Sequence, residues 1–473
     1  MYSLLFLAFV SFALSLMLTP FVRNLALHFG LVDQPDAYRK LHKTPVPRLG
    51  GVAILAATLI AYLLMLATGL SAGHIVREGV PFAISLLPAA AIIFGVGLLD
   101  DILQIRPTYK LAAQVGAAAL VWSSGIRVGA IAGQTLPILL SFLLTLAWIV
   151  ACSNAVNLID GLDGLATGVG LFATVTTIVA ALLHHNYDLL LVTVPLAGAL
   201  FGFLRYNFNP ASIFLGDCGS LTLGFLLACY GIRWSEKSTT LISMSAPLLA
   251  LFIPLLDVCL AVARRVLRRQ SIFAGDRSHI HHKLLSRGLS PRRAVLVLYG
   301  FCALAAVASL LLTTAHRQYQ GFLIVLISLA ALLGLQHLGY REFGIAGRLA
   351  LDGSFQRLLN AQLTLKAFEQ EIAECSTLRQ CWDVLCRVCP EFGFSGINIR
   401  LDGLVSRTGV LGGWSVRIDI PGHGYINLMR ESGTKSPGAS AVMFIDCIHR
   451  VFLRRCIEFE SQHQDRRPYA HAV

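Results

Sequence analysis

Charged side chains are scarce in this chain: 14% of its 473 residues, against 56% hydrophobic. That excludes an ordinary soluble domain as the bulk of the protein, because soluble domains are about 25% charged and no more than about half apolar. The first apolar run, Met1 to about Pro20, lacks a basic n-region and has no clear small-residue cleavage site after it. A retained membrane span is therefore expected, not a signal peptide. Of 11 cysteines only Cys386 and Cys389 form a CxxC, and no second pair or suitably spaced histidine joins them. A zinc cage or disulfide framework is not expected, and reduced thiols are. No nucleic-acid-binding motif accompanies the net charge of +12. The lysines and arginines flank apolar segments, where they set topology and meet anionic lipid or phosphate.

What the chain has in abundance is long apolar runs. Over residues 1–340 stretches of roughly 17–22 residues, the length that spans hydrocarbon, alternate with short polar breaks. Spans are predicted near 2–20, 51–69, 81–99, 111–123, 135–152, 168–183, 189–204, 219–234, 244–263, 294–314 and 321–339, about eleven in all. One set of loops carries Arg23, Arg39, Lys40, Lys43, Arg48, Arg106, Lys110, Arg205 and a basic run from Arg264 to Arg293; the opposite set has little beyond Arg77, Arg127, Lys237 and Arg317. The positive-inside rule makes the first set cytoplasmic, with the N-terminus outside and the C-terminal tail inside. The expected architecture is an all-α polytopic membrane protein, with a membrane domain over 1–343 and a small cytoplasmic α+β domain over 344–473.

Four polar clusters interrupt the apolar pattern, and this topology gathers them on the cytoplasmic face. Asp100-Asp101 end the third span, ahead of Arg106, Pro107 and Lys110. Adjacent carboxylates at the end of an apolar helix are costly unless water, a cation or a partner charge satisfies them. Asn154, Asn157, Asp160 and Asp163 recur at every third position, so neighbours share a face if the segment is helical, while Gly161, Gly164 and Gly168 admit a loop. That many side-chain oxygens suit a hard cation such as magnesium, or the hydroxyls of a sugar and a nucleoside. Asp217 in Phe214-Leu-Gly-Asp-Cys-Gly-Ser220 reads as a helix cap alone and as a candidate metal ligand beside the other clusters. Arg277, His279, His281 and His282 lie in the long basic loop, where arginine and histidine contact phosphate oxygens. Arg39, Lys40, His42, Lys43 and Arg48 extend the same anionic pocket. Carboxylates for a divalent cation, bases for phosphate and a lipid boundary together suit phosphoryl transfer to or from a lipid.

Five segments in order, RKLHKTPVPRLGG, DDILQIRPTYKLAAQ, NAVNLIDGLDGLATG, FLGDCGS and DRSHIHHKLLSRGLS, resemble the polyprenyl-phosphate N-acetylhexosamine-1-phosphate transferases over about residues 1–340. The DRxHIHH form is similar to the branch that uses UDP-N-acetylglucosamine or a related UDP-N-acetylhexosamine. The resemblance implies attack by undecaprenyl phosphate on the β-phosphate of a UDP-N-acetylhexosamine, releasing UMP at the bacterial cytoplasmic membrane and starting a cell-surface glycan of the O-antigen or teichoic-acid kind. It implies Mg2+, with Mn2+ as a substitute, held by Asp217 with Asn157. It makes Asp100 the carboxylate that orients or deprotonates the lipid phosphate and Asp101 its support. Lys110 would pair with phosphate, and Asn154, Asp160 and Asp163 would serve the nucleotide or the metal's surroundings. Arg277, His279, His281 and His282 would hold the sugar-phosphate end. A homodimer is left open. The peptidoglycan branch, which transfers phospho-N-acetylmuramoyl-pentapeptide, is the second reading, and a membrane transporter is the alternative of another class. Polar groups at span ends and the lack of an internal repeat count against the transporter.

The resemblance stops near residue 340. The tail reads as a helix over about 355–388, strands near 395–401, 413–420 and 424–429, and a helix near 439–461, with period-two alternation in Gly413–Pro421 supporting the middle strand. On fold analogy alone it is similar to small α+β regulatory domains such as GAF domains.

Overall fold

The computed structural model describes residues 2–34, 45–69, 74–131, 134–236, 251–267, 279–314, 319, 321–326, 328–329, 354–401, 404–409, 414–420, 424–430 and 438–455. The chain divides into two compact units, residues 1–339 and 340–473.

The first unit is a helix bundle: α1 (Tyr2–His28), α2 (Gly50–Ala67), α3 (His74–Leu103), α4 (Pro107–Ser123), α5 (Ile138–Ile159), α6 (Leu165–Leu183), α7 (Tyr187–Asn207), α8 (Gly216–Glu236), α9 (Phe252–Leu267), the short α10 (Ile280–Ser286) and α11 (Pro291–Thr314). Among the described residues seven helices are long and apolar enough to cross a membrane: Tyr2–His28, Gly50–Ala67, Gly79–Leu103, Ile138–Ile159, Leu165–Leu183, Tyr187–Asn207 and Pro291–Thr314. Three other expected spans fall on helices below that standard. Helix α4 has 17 residues, and α9 has 16 described ones, since residues 244–250 of its expected span lie outside the described residues. Helix α8 is long enough but more polar, for a physical reason: it packs against α3 and α5, and Leu221, Phe225, Ala228 and Cys229 are buried in protein. A helix enclosed by other helices has no need to be apolar all round for lipid. The eleventh expected span, 321–339, lies largely outside the described residues.

Local sequence sets the helix ends. Pro107 opens α4 at its first turn behind an extended Arg106, the position where proline's missing N–H costs nothing. Ser15 of α1 donates its hydroxyl to the carbonyl of Ala199 in α7 at 2.7 Å, the close approach that small residues permit between membrane helices. Beyond α1, Val32–Asp33 (β1) pairs antiparallel with Val46–Pro47 (β2), and before α5 Ala130–Ile131 (β3) pairs with Gln134–Thr135 (β4).

The second unit has two layers. Strands β5 (Gly396–Leu401), β6 (Leu404–Gly409), β7 (Trp414–Ile420) and β8 (Gly424–Arg430) form an antiparallel sheet ordered β6-β5-β8-β7. Ile397, Ile399, Ile418, Ile426 and Leu428 alternate onto one face and pack with α12 (Ser354–Glu374), α13 (Leu378–Val388) and α14 (Gly438–Cys447) through Phe368, Leu385 and Phe444. The helix expected over 355–388 is two helices, because the Thr377 hydroxyl accepts the N–H of Gln380 and starts a new one. Strand β6, absent from the expectation, reads LVSRTG, too polar and irregular to signal a strand.

Candidate active site

The carboxyl end of α3 meets the amino end of α8, and the adjacent aspartates of α3 divide there. Asp101 turns both oxygens onto α8: Oδ1 accepts the N–H of Asp217 at 2.8 Å and Oδ2 that of Cys218 at 2.9 Å. This carboxylate takes two of the donors that a helix start leaves unbonded and meets the positive end of its dipole. Gly216, at φ +77°, makes the turn possible, and any Cβ there would collide with the Arg48 carbonyl. Asp100 faces elsewhere: the Lys110 ammonium of α4 stands 3.0 Å from Asp100 Oδ2 and 2.8 Å from Asp217 Oδ2. One cation thus joins the two carboxylates, all three groups half-buried.

Backbone pairing fixes the loop before α8. The N–H groups of Gly50 and Gly51 donate to the carbonyls of Phe214 and Leu215 at 2.9 and 2.8 Å, and that of Phe214 donates to Pro47 at 2.7 Å. The segment between α1 and α2 and the FLGD motif are therefore one structure. Arg48 forms an ion pair with the buried Asp33. Arg39, Lys40, His42 and Lys43 lie outside the described residues.

The asparagine–aspartate run splits between helix and loop. Asn157, in the last turn of α5, donates to Ser220 Oγ at 2.9 Å and hydrogen-bonds the Asp217 carboxylate. Asn154, one turn earlier, donates to Gln114 Oε1 of α4 at 2.6 Å. Asp160 accepts the N–H of Gly216; burial pushes its carboxyl well above the ordinary range, the charges of Asp217, Asp101 and Asp163 add to that, and the Gly216 bond opposes it. Asp163 spends Oδ2 on Asn209 Nδ2 and the N–H of Ala211, at 2.9 and 3.0 Å, so it ties down the loop that leads into α8.

The histidine motif reaches the same end of the bundle. His279 precedes α10, and its ring lies 5.7 Å from that of His281, which lies 4.3 Å from that of His282. His281 Nε2 is 3.1 Å from where a Cβ on Gly161 would stand, so the motif touches the asparagine–aspartate loop. Burial holds His281 down at about 4, with His282 adding repulsion. Tyr299 of α11 donates to the Gly164 carbonyl at 2.6 Å and anchors this contact. Arg277 lies outside the described residues.

One partner was missed by the sequence reading. Asp257, in α9 and 1% exposed, places Oδ2 3.0 Å from His279 Nδ1, and its Oδ1 accepts the N–H of Ile280 at 2.9 Å. The signal was available: a lone acid inside the apolar run FIPLLDVCLAVA.

The helix ends thus bring Asp100, Asp101, Lys110, Asn157, Asp160 and Asp217 into one hydrogen-bonded group, with the histidines against its loop. Such a group can bind anions through Lys110 and a hard cation through oxygen donors. Among the described residues no three His, Cys, Asp or Glu side chains are gathered to cage a metal by themselves.

The glycosyl transferase family 4 model matches residues 83–235, which hold the Asp100 to Asp217 part of this group. The chain is 36% identical over 326 residues to the Bacillus subtilis protein named "Probable undecaprenyl-phosphate N-acetylglucosaminyl 1-phosphate transferase", covering 67% of this chain and 87% of that relative. The chain belongs to glycosyl transferase family 4, as a polyprenyl-phosphate sugar-1-phosphate transferase. Other members of this family are similar as well. The decaprenyl-phosphate N-acetylglucosaminephosphotransferase of Mycobacterium tuberculosis H37Rv is 36% identical over 321 residues, covering 61% of this chain and 78% of that one. The undecaprenyl-phosphate alpha-N-acetylglucosaminyl 1-phosphate transferase of Escherichia coli K12 is 28% identical over 323 residues, covering 66% and 85%.

Proposed function

We propose that the protein transfers N-acetylglucosamine 1-phosphate from UDP-N-acetylglucosamine to undecaprenyl phosphate, giving the lipid diphosphate sugar and UMP. The observation that carries this reading is the Asp100–Lys110–Asp217 bridge between three helix ends, at the end of a bundle whose sides are apolar. The activities for which these relatives are named supply the sugar and the polyprenyl acceptor.

In this reading a lipid phosphate oxygen attacks the donor's β-phosphorus as the bond to the UMP oxygen breaks. Asp100 orients the lipid phosphate beside Lys110, whose charge offsets repulsion between two anionic reactants. A phosphate monoester has its second pKa near 6, so orientation outweighs proton removal at neutral pH. His279, His281 and His282 hold the donor's sugar-phosphate end, and Asp160 faces the nucleotide.

We also propose magnesium as the cofactor, held by Asp217 and Asn157. The donors are all oxygens, and the small number of carboxylates suits an ion that keeps most positions for water and substrate phosphates. When bound, magnesium neutralises charge on the donor diphosphate. The loop charges favour a cytoplasmic site, about eleven spans, an outside N-terminus and a cytoplasmic C-terminal α+β unit.

The test is UMP release by the purified full chain given undecaprenyl phosphate, Mg2+ and a panel of UDP-sugars. UDP-N-acetylglucosamine should be the preferred donor, and Asp217→Asn should nearly abolish release. Silence with every donor, under conditions where a family relative turns over, overturns the reading.

A further inference from the structure

We propose that Asp257 is a positioning residue for the donor site: it fixes the ring of His279 and the start of α10 together, so that His279 presents Nε2 to a phosphate oxygen of the nucleotide sugar. The inference rests on the transferase reading above. Its observation is independent of the Asp100–Lys110–Asp217 bridge.

Asp257 is almost fully buried, and both of its oxygens are committed to one short segment. A carboxylate only accepts, so the hydrogen between it and His279 sits on Nδ1. The ring nitrogen left for a ligand is then Nε2, and in the imidazolium form Nε2–H donates to an anionic oxygen while Asp257 balances the charge. The second contact matters equally. By accepting the Ile280 N–H, Asp257 sets where α10 begins, and α10 carries His281 against Gly161. One carboxylate in α9 therefore aligns the histidine motif with the loop that holds Asp160. Leaving a buried carboxylate in an apolar helix is costly, and these two bonds are what offset the cost.

The test compares Asp257→Asn, His279→Ala and the double variant, all as full-length protein in detergent. Asn keeps an acceptor for Ile280 N–H but loses the charge that balances an imidazolium. The Kd for UDP-N-acetylglucosamine should rise roughly ten-fold in Asp257→Asn, the scale of one charge-assisted hydrogen bond. The KM for undecaprenyl phosphate should stay within about two-fold, because the acceptor meets other groups. On the His279→Ala background Asp257→Asn should add less than about two-fold, as expected when one residue acts through the other. Additive losses, or an unchanged donor Kd in Asp257→Asn, overturn the proposal. A purely structural Asp257 would lower donor and acceptor binding alike, with a matching fall in melting temperature, which also overturns it. Ring 15N shifts of His279, assigned with His279→Ala, provide a readout that needs no turnover. Protonated Nδ1 in the wild type and a changed pattern in Asp257→Asn are expected, and an Nε2-protonated neutral ring in the wild type overturns the proposal. Absence of any UMP release by the wild type would strike the transferase reading and leave this ring assignment standing.

Discussion

Asp101 accepts the backbone N–H of Asp217 at 2.8 Å, across 116 positions of sequence, while its neighbour Asp100 meets the Asp217 side chain, both directly and through the shared Lys110 ammonium. One member of the pair holds the helix on which the other's partner sits. The two residues should therefore fail differently when changed.

Asp101→Ala removes a carboxylate that caps α8 with two hydrogen bonds. It should cost about 1–2 kcal/mol of stability and lower the melting temperature along with activity. Asp100→Asn should leave the melting temperature within a degree or two and reduce UMP release by roughly two orders of magnitude or more. Thermal denaturation in detergent, beside the UMP assay, separates them; equal melting temperatures for wild type and Asp101→Ala would contradict the capping role.

Lys110→Met should leave Asp100 and Asp217 as two carboxylates sharing no cation. Turnover should fall roughly 100-fold, and half-maximal activity should need less Mg2+, because the uncompensated carboxylates attract it more strongly. Lys110→Arg should rescue little, because a planar fork does not replace a compact ammonium between two oxygens. A titration of activity against Mg2+ for the three proteins gives the answer.

Acidification should weaken the bundle through His281. Its folded pKa of about 4 lies below the ordinary 6.5. The unfolded chain therefore takes up the proton first, so stability is fully present above 6.5 and is lost as pH falls towards 4. The loss amounts to at most about 3 kcal/mol. Asp160 has the opposite sign: its raised pKa contributes stability in acid that is lost as pH rises. Melting temperatures from pH 7 to 4.5 should fall more steeply in the wild type than in His281→Gln, and parallel curves would rule His281 out.

Deleting residues 345–473 should leave UMP release at the wild-type level within about two-fold, since every group of the site lies in the first unit and such a domain is expected to fold by itself. Complete loss in a truncated protein of unchanged melting temperature would assign the second unit a part in the chemistry.

Much of this was legible in the sequence because lipid imposes a length and a polarity on what crosses it. Helices α1, α2, α5, α6, α7 and α11 are apolar runs with polar stops, and the acidic motifs stand at those stops. Helix α8 was also expected, over 219–234, although its neighbours are protein and its composition is free of the lipid constraint. The division of labour between Asp100 and Asp101 comes from the resemblance, whereas the physical form of Asp101's support was illegible, because adjacency in sequence does not tell which side chain meets amides far away in the chain. For Asp163 the spacing does not announce that its Oδ2 accepts Asn209 Nδ2 and the Ala211 N–H, partners some 46–48 residues away. Asp257 escaped because its partner follows a basic loop and no spacing rule links them.

The group at the bundle end is assembled from helix termini, whereas Phe9, Leu63, Phe201 and Leu304 lie on the exposed sides. Those sides can be retuned residue by residue to a thicker, thinner or more fluid bilayer without moving a catalytic atom. Adaptation to the membrane and preservation of the chemistry are therefore separable problems for this protein, and substitutions should accumulate freely on the first surface and hardly at all on the second.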